Sequence, residues 1–233
     1  MGSRRRLVGA GATDAAVTPS LRVAASVNII TDYSDTHDND PIGATPVDPD
    51  SADQRILDAT MVVLAREGVA GVSMRAVARE ADLSVGLANY YFENKTALIS
   101  AALVRIGAQD SLLVAPAPDG VDARGHLKMS LARALDAEFL TRDYLSLRLQ
   151  LWSLAGVDEQ FADINRAAQK RYLSGLADLI AAARPELERD DVEERAADIL
   201  IEQNGVWLTA ILITDDAAVK RAIERCVTRA FTD

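Results

Sequence analysis

The stretch SMRAVAREADLSVGLANYYFENK, residues 73–95, decides how this chain folds. Ser73 and Ser84 each precede a short run whose apolar residues recur at helical spacing, and serine is a preferred N-cap residue. Between the two runs lies a three-residue elbow near Asp82, a residue type that tolerates a left-handed backbone better than most. Alanines beside the elbow let the two helices approach closely. Two short helices joined in this way predict a helix-turn-helix.

Helical patterns also fill the chain around this stretch. One helix is predicted from about Ser51 to Gly68, and another begins after the N-cap Asn94 and fades near Leu113. Aromatic residues make up only 5% of the chain, which has 13 Gly and 7 Pro, and no strand-like alternation is visible. The predicted fold class is therefore all-α. The other predicted helices run over 122–139, 142–155, 158–183, 190–213 and 215–231.

The first fifty residues differ from the rest of the chain. Residues 1–50 are rich in Asp, contain four Arg and hold neither Lys nor Glu. They cannot bury enough apolar surface to offset the entropy lost on ordering, so a disordered tail is predicted. The arginine run at 4–6 leaves open a twin-arginine export signal, although Asp14 and Arg22 interrupt the apolar stretch that should follow it.

The motifs of residues 51–100 closely resemble those of the TetR family of transcriptional regulators. Two positions depart from the family pattern, because Asp82 replaces the usual elbow glycine and Ala88-Asn89 replaces a common Leu-Tyr pair. The second variant is similar to a branch of choline-responsive repressors, which the stretch 205–208 also resembles. The segments that carry the resemblance are Ile56-Leu57-Asp58-Ala59, Gly68, 73–78, 81–86 and 90–95.

The resemblance implies a helix-turn-helix domain at 51–97, with its motif at about 73–92, and a set of DNA-contacting residues. The second motif helix would face the major groove, with Ala88 and one of its two tyrosines turned inward. Asn89 can make a bidentate pair with adenine. The other groove-facing residues would be Ser84, Val85, Gly86 and Leu87. The residues implied to contact backbone phosphate are Ser73, Arg75, Tyr90, Tyr91 and Lys95.

Residues 98–233 are predicted to dimerise and to bind an effector. A helix-turn-helix reads DNA in pairs, so a dimer interface is required, and the last two predicted helices carry apolar residues in excess of one small core. Each of these residues can equally belong to the core of a single chain. The predicted interface residues are Ile199, Leu208, Ile211, Leu212, Ile223 and Val227.

A ligand pocket is predicted between the middle helices and the helix that follows Asn94. Trp152 and Trp207 could cage a cationic ligand such as a quaternary amine by cation–π contact, with Glu202 as the counter-charge. Each residue of the set can also be plain core. The predicted lining residues are Leu103, Met129, Phe139, Tyr144, Leu147, Leu151, Trp152, Phe161, Tyr172, Glu202 and Trp207.

The sequence therefore predicts a cytoplasmic, ligand-responsive regulator. It would be a repressor that binds a palindromic double-stranded DNA operator as a homodimer and is released by a small-molecule effector. The alternative is a helical binding or scaffold protein whose helix-turn-helix does not bind DNA. Local charge leaves that alternative open, since residues 51–110 hold six Lys or Arg and seven Asp or Glu.

Other functional classes find little support in the sequence. No nucleophile–base–acid set or phosphate-binding glycine loop is visible, so an enzyme is not expected. The single cysteine, Cys226, and the distant His37 and His126 argue against a metal site, and no cofactor is predicted. No uninterrupted run of eighteen apolar residues suggests a membrane span. A net charge of −10 argues against a general polyanion binder.

Overall fold

The computed structural model describes residues 51–212 and 215–232, which form ten α-helices with short connections. The predicted tail at 1–50 lies outside the described residues, as does the predicted helix end at 213. Those two described ranges contain no strand, and the prediction of an all-α fold is confirmed. The helices are α1 (Ala52–Gly71), α2 (Met74–Glu80), α3 (Val85–Tyr91), α4 (Lys95–Ser111), α5 (Ala123–Ala132), α6 (Ala137–Leu140), α7 (Arg142–Ala155), α8 (Glu159–Ala183), α9 (Arg189–Leu212) and α10 (Asp216–Phe231).

Helix α1 is broken near its end, at the point where the sequence predicts it to stop. Gly68 has a φ of +73°, a left-handed backbone that glycine adopts without a steric penalty. The break removes helical bonds, and the Gln150 side chain of α7 replaces them. Its amide nitrogen donates to the Leu64 carbonyl at 3.0 Å, and its amide oxygen accepts from the Val69 N–H at 3.1 Å. This clamp joins α7 to the amino-terminal helices.

The described helices bury two hydrophobic cores. The first core holds α1–α3 and most of the apolar face of α4, closed by Leu147, Leu151 and Phe161 from α7 and α8. The second core is formed by the helices from α5 through α10. Helix α4 passes from one to the other along α8, where a Cβ added at Gly107 would lie only 2.6 Å from the Ala168 Cβ. The predicted boundary near residue 98 therefore falls within a helix that packs continuously, and it stays a prediction.

The helix predicted over 122–139 is wrong as a single element. It divides into α5, a 3₁₀ turn at Arg133–Leu135 and the short helix α6, because Asp136 takes an extended backbone with ψ of 145°. The change of direction buries Phe139, whose ring meets the Tyr144 ring edge-on at a centroid distance of 5.6 Å. Burial of this large aromatic side chain accounts for a break that no glycine or proline announces.

One described segment is long and apolar enough to cross a membrane by length and composition alone. This segment, Lys95–Val114, comprises α4 and the 3₁₀ turn after it, and 56% of its most apolar window is buried inside the protein. Such burial is what the core helix of a folded domain shows, and the segment includes Arg105 and Asp110. By this measure it is weak evidence for a membrane span.

Candidate nucleic-acid interface and buried arginine centre

The helix-turn-helix has the local geometry that its sequence predicts. The Ser73 hydroxyl oxygen accepts from the Ala76 N–H at 3.1 Å, and the Ser84 hydroxyl oxygen accepts from the Leu87 N–H at 3.1 Å. These two bonds cap α2 and α3. Asp82 has a φ of +53° at the elbow, the left-handed conformation expected for it. The two short helices are thus fixed by signals within twelve residues of chain.

Helix α3 presents an exposed face and is anchored by one small residue. Ala88 is fully buried, while Val85, Gly86 and Asn89 are exposed and Leu87 is half-buried. The expectation that one tyrosine faces inward is wrong, because the exposed fractions are 79% for Tyr90 and 44% for Tyr91. The two rings instead pack edge to face with centroids 5.2 Å apart. Both hydroxyls therefore extend α3's polar surface.

The cations of this region fall into two groups. Arg55 donates to the Ala81 and Asp82 carbonyls, Arg66 pairs with Glu67 and Glu80, and Arg105 pairs with Asp58. In contrast, no carboxylate among the described residues lies within ion-pair distance of Arg75, Arg79 or Lys95.

Two of the three unpaired cations lie on α2 of the helix-turn-helix, and the third follows the motif at the start of α4. Arg75 and Arg79 are exposed and one helical turn apart on α2, so they share a face, while Lys95 begins α4 after the exposed N-cap Asn94. Two exposed carboxylates of the same stretch, Asp82 and Glu93, also lack an ion pair among the described residues, so the local charge is mixed. Cations without a carboxylate partner are nevertheless free to contact phosphate.

A second cluster of interest lies in the carboxy-terminal helices and is centred on Arg148. We call Asp110, Tyr144, Arg148, Trp152 and Trp207 the arginine centre. The Arg148 guanidinium carbon lies 4.0 Å from the Trp207 ring centroid and 5.4 Å from those of Trp152 and Tyr144. Asp110 Oδ1 accepts from both Arg148 Nη2 and the Tyr144 hydroxyl. Only 3% of the Arg148 side chain is exposed.

Burial and mutual charge set the protonation of this centre. Burial would lower the pKa of Arg148, but the Asp110 carboxylate and the Tyr144 oxygen raise it overall, so the guanidinium stays charged. Burial and the negative Asp110 raise the pKa of Tyr144 well above its ordinary value, so its hydroxyl keeps its proton. Nearby, burial raises the pKa of Tyr172, whose hydroxyl donates to Gln203 Oε1 at 2.7 Å. The centre is therefore one buried ion pair within a neutral polar network.

The predicted pocket residues divide among several places. Trp152, Leu103 and Leu151 line a cavity of about 20 Å³ together with Arg148 and Asp110, which is room for about one water molecule. Phe139 and Tyr172 lie buried in the second core. Leu147 and Phe161 belong instead to the first core, beneath α1 and α4.

The assignment of two residues to the predicted pocket is wrong. Met129 is 56% exposed, because it lies on the outer face of α5. Glu202 does not face the tryptophans as a counter-charge. Its carboxylate accepts from the Arg229 guanidinium at 2.6 Å and from the Cys226 thiol at 3.4 Å, across the α9–α10 contact.

The sequence interpretation missed the charged members of the arginine centre. Its two charged members, Asp110 and Arg148, are buried, as is the neighbouring Gln203. One signal was available, since Tyr144, Arg148 and Trp152 recur every four residues and so share one face of α7. The pairing of Arg148 with Asp110 joins residues 38 positions apart and has no local signal.

The predicted dimer residues also divide. Ile199 and Ile223 are fully buried in the second core, so their assignment to an exposed interface is wrong. Ile211 and Val227 are half-buried and pack against that core. Leu208 and Leu212 are 40% and 71% exposed. The interpretation missed Ile201, which is 69% exposed on the same helix.

Two family models match the chain. The model described as bacterial regulatory proteins of the tetR family matches residues 56–102. The model described as the BetI-type transcriptional repressor, C-terminal, matches residues 123–231. Together they leave out only residues 1–55, 103–122 and 232–233.

Individual relatives and solved structures agree with these matches. The HTH-type transcriptional regulator BetI of Vibrio vulnificus (strain YJ016) is 28% identical over 162 residues, which cover 68% of this chain and 80% of that protein. A transcriptional regulator from Rhodococcus sp. Rha1 superimposes with a TM-score of 0.64 at 21% identity, covering 76% of this chain and 95% of that chain. A regulator from Saccharomonospora viridis, solved in complex with choline, gives a TM-score of 0.63 at 23% identity, covering 76% and 95%.

An exposed recognition helix on a larger helical body defines a helix-turn-helix DNA-binding protein. The family models that match the amino-terminal and the carboxy-terminal parts of the chain identify its family. The chain belongs to the TetR family of bacterial transcriptional regulators. The prediction of a ligand-responsive, DNA-binding repressor is confirmed at the level of the family.

Proposed function

We propose that this chain represses transcription as a homodimer on a palindromic DNA operator, and that a small molecule bound near the arginine centre releases it. The observation that carries the proposal is the exposed face of α3 flanked by the unpaired cations Arg75, Arg79 and Lys95. Unpaired cations beside two exposed tyrosine hydroxyls suit the phosphate backbone of DNA. Repression places the protein in the cytoplasm with its DNA, and the proposal assigns it no catalytic activity.

In DNA recognition, some residues would position the protein on the phosphate backbone and others would read the bases. Lys95, Arg75 and the hydroxyls of Tyr90 and Tyr91 would contact phosphates, which fix the register of the protein on the duplex. The capping bonds of Ser73 and Ser84 leave their hydroxyl hydrogens free for the same purpose. Asn89 would read adenine, and Val85 and Leu87 would contact thymine methyl groups. With so few base contacts in each half-site, the two-fold symmetry of a dimer supplies the remaining affinity.

The dimer would form through an exposed apolar stripe on α9. Ile201, Gly205, Leu208 and Leu212 follow one another at spacings of four, three and four residues, so they line one face of the helix. Nothing lies within 4 Å of a Cβ added at Gly205, so a second helix can approach closely there. A contiguous exposed apolar stripe of this kind is typical of a protein–protein interaction site. The partner proposed is α9 of a second copy.

Two connections would transmit the effector's presence to α3. Helix α4 links the arginine centre to Lys95, and its Arg105 pairs with Asp58 of α1 at 2.5 Å. Helix α7 carries both Arg148 and the Gln150 clamp on the α1 break. An effector that binds one spacing of the two α3 helices more tightly than the other would shift the population between them.

The proposal is tested with variants on a DNA fragment that the full-length protein selects from genomic DNA. Lys95→Ala removes one phosphate contact per protomer, so the slope of log Kd against log salt should flatten by about two for the dimer. Tyr90→Phe should weaken binding to all sequences by about tenfold. Lys128→Ala, an exposed lysine on α5, is the matched control and should leave the slope unchanged.

The scaffold alternative makes the opposite prediction. If the helix-turn-helix binds protein rather than DNA, neither Lys95→Ala nor Tyr90→Phe changes DNA affinity relative to Lys128→Ala. A further variant separates reading from positioning. Asn89→Ala should relax the preference at one base position in each half-site, at a cost of about 1–3 kcal/mol, with the salt slope unchanged.

A further inference from the structure

The aromatic cage of the arginine centre is already filled by a cation of the protein. The Arg148 guanidinium carbon lies 4.0 Å from the Trp207 centroid and 5.4 Å from the centroids of Trp152 and Tyr144. These distances lie within the range of cation–π attraction. A quaternary ammonium would need the same ring faces. It could take them only by displacing a guanidinium whose side chain is 3% exposed.

The one carboxylate of the centre is also engaged. Asp110 Oδ1 accepts from Arg148 Nη2 and from the Tyr144 hydroxyl, so the negative charge that would attract an incoming cation is balanced. Displacing Arg148 would separate a buried ion pair, and separating such a pair is strongly unfavourable. Glu202, the other carboxylate proposed from the sequence, faces Arg229 and Cys226 instead. The structure therefore offers a cation neither an empty cage nor a free counter-charge.

The hydrogen-bonding groups left over in this region favour an acceptor. Three buried N–H groups have no partner among the described residues: Arg148 Nε, Trp207 Nε1 and Gln203 Nε2. Arg148 and Trp207 are stacked on each other, and Gln203 lies one turn before Trp207 on α9. A buried donor without an acceptor is costly, most of all when it is charged. The unpartnered buried acceptors of helices α4 and α9, Gln109 Oε1 and Asn204 Oδ1, belong to neutral amides and do not require a cation.

The cavity beside Arg148 is lined by further amide side chains, although Trp207 and Gln203 are not among its lining residues. Asn165 and Gln169 of α8 line it together with the guanidinium. Gln169 Oε1 already accepts from the Asn204 amide at 3.4 Å, so the amide N–H groups of Gln169 remain available to a ligand. The apolar part of the wall is Leu103, Ile106 and Leu151. The cavity has room for about one water-sized group, so it can take a single acceptor atom of a ligand, and the ligand's apolar body must displace side chains of this wall.

We propose that the effector of this repressor is a small carboxylate, whose carboxyl group accepts the Nε–H of Arg148. This inference rests on the proposed function, because it names the ligand class of the same effector site. A carboxylate at Nε leaves Nη2 to Asp110 and brings a second negative charge beside that residue, which lies on α4, the helix that begins at Lys95. Binding therefore loosens the α4–α7 contact. Arg148 makes the site unsuited to a choline-type effector, because its guanidinium already occupies the ring faces that a quaternary ammonium would need.

Three probes of nearly the same shape separate the charge types: 3,3-dimethylbutyrate, 3,3-dimethylbutan-1-ol and choline. Trp152 and Trp207 are the two tryptophans of the chain and both flank Arg148, so intrinsic fluorescence of the full-length protein reports binding directly. The carboxylate should bind about tenfold or more tightly than the alcohol, the factor expected for a charge-assisted bond to a buried guanidinium. Choline should bind no more tightly than the alcohol.

Variants assign the preference to Arg148. Arg148→Lys keeps the positive charge for Asp110 but lacks the Nε–H, so the preference for the carboxylate should fall about tenfold. Arg148→Ala leaves Asp110 beside empty ring faces. Choline should then bind this variant more tightly than it binds the wild type, and it should raise the melting temperature of the variant. Arg142→Ala, an exposed arginine on the same helix, is the control and should keep the wild-type order of affinities.

The possible outcomes are distinct. Choline binding as tightly as 3,3-dimethylbutyrate, no fluorescence response to the carboxylate, or a carboxylate preference that survives in Arg148→Lys each overturns the inference. Selection of genomic DNA fragments, made without any probe, tests the proposed function separately. A protein that selects an operator but is released by choline would keep the proposed function and lose this inference. A protein that binds the carboxylate through Arg148 but selects no DNA would do the reverse.

Discussion

The close contact between α4 and α8 at Gly107 predicts that a single methyl group will weaken operator binding. A Cβ at Gly107 would lie 2.6 Å from the Ala168 Cβ and 3.7 Å from its Cα. Ordinary carbon–carbon contacts begin near 3.5 Å, so in Gly107→Ala the two helices must separate by about 1 Å at this point. Because α4 carries Lys95 at its start, we expect that separation to reach the DNA-binding surface.

The magnitude follows from two opposing effects. Overpacking a closely packed site costs about 1–3 kcal/mol. Replacing glycine by alanine inside a helix returns about 1 kcal/mol through helix propensity. The free energy of unfolding of Gly107→Ala should therefore fall by up to about 2 kcal/mol, rather than rise by the 1 kcal/mol that propensity alone would give.

A double-mutant cycle provides the matched control. Ala168→Gly removes the opposing methyl group, so Gly107→Ala/Ala168→Gly moves one methyl across the contact and keeps the number of glycines in the two helices. The coupling between the two changes should be favourable by about 1–3 kcal/mol, measured by urea denaturation at one fixed protein concentration. Operator affinity should fall in Gly107→Ala and return toward the wild-type value in the double variant.

The reasoning would be refuted by simple additivity. If Gly107→Ala raises stability by about 1 kcal/mol and Ala168→Gly lowers it by a similar amount in both backgrounds, the two helices are not in close contact. If Gly107→Ala is less stable but binds the operator as tightly as the wild type, the close contact between α4 and α8 is supported. The idea that α4 carries its displacement to the DNA-binding surface is then contradicted.

Three further changes test other parts of the structure. Gln150→Leu leaves the Leu64 carbonyl and the Val69 N–H without their partner, so urea denaturation should show a loss of about 2 kcal/mol or more. The control Gln160→Leu should lose less than about 1 kcal/mol, because its exposed side chain gives up only one bond, to Ser100 Oγ. Leu212→Glu charges the exposed stripe of α9 and should yield monomers in sedimentation velocity, whereas Lys170→Glu on α8 should leave dimers. Burial and the hydrogen bond to Glu202 raise the pKa of Cys226 from 9.0 to about 12, so at pH 9 the native thiol should react with iodoacetamide about a hundredfold more slowly than the urea-unfolded chain. Stability should then fall as the pH rises from 9.0 toward 12, because the unfolded thiol ionises first.

Each of these predictions has a contradicting result. An unchanged free energy of unfolding in Gln150→Leu would mean that the clamp on the α1 break contributes nothing. A Leu212→Glu dimer with wild-type affinity would place the interface elsewhere. A Cys226 thiol that is as reactive in the native protein as in the unfolded chain would mean that α9 and α10 do not bury it.

Local signals explain what could be predicted from the sequence. The capping serines, the left-handed Asp82 and the buried Ala88 act within one short stretch, so the helix-turn-helix is visible without knowledge of the rest of the chain. The long helices α7, α8 and α10 begin within two residues of their predicted starts because each follows a polar N-cap, at Thr141, Asp158 and Asp215.

Long-range packing explains what could not be predicted. Helix α9 has apolar residues on more than one side, so its sequence alone does not tell whether Ile199 or Ile201 faces the core. The break at Asp136 follows from the burial of Phe139, which only the tertiary structure defines. The arginine centre depends on Asp110 and Arg148 meeting from different helices, and neither residue signals its partner.

Selection of genomic DNA fragments by the purified full-length protein at physiological salt tests the central claim most directly. The account predicts enrichment of an inverted repeat whose half-sites lie one helical turn, about 34 Å, or a multiple of it apart. The same repeat should be recovered in lower yield with Lys95→Ala and in full yield with Lys128→Ala. A folded, dimeric protein that enriches no repeat, before and after refolding to remove any co-purified ligand, would contradict the account and favour a helix-turn-helix that binds protein.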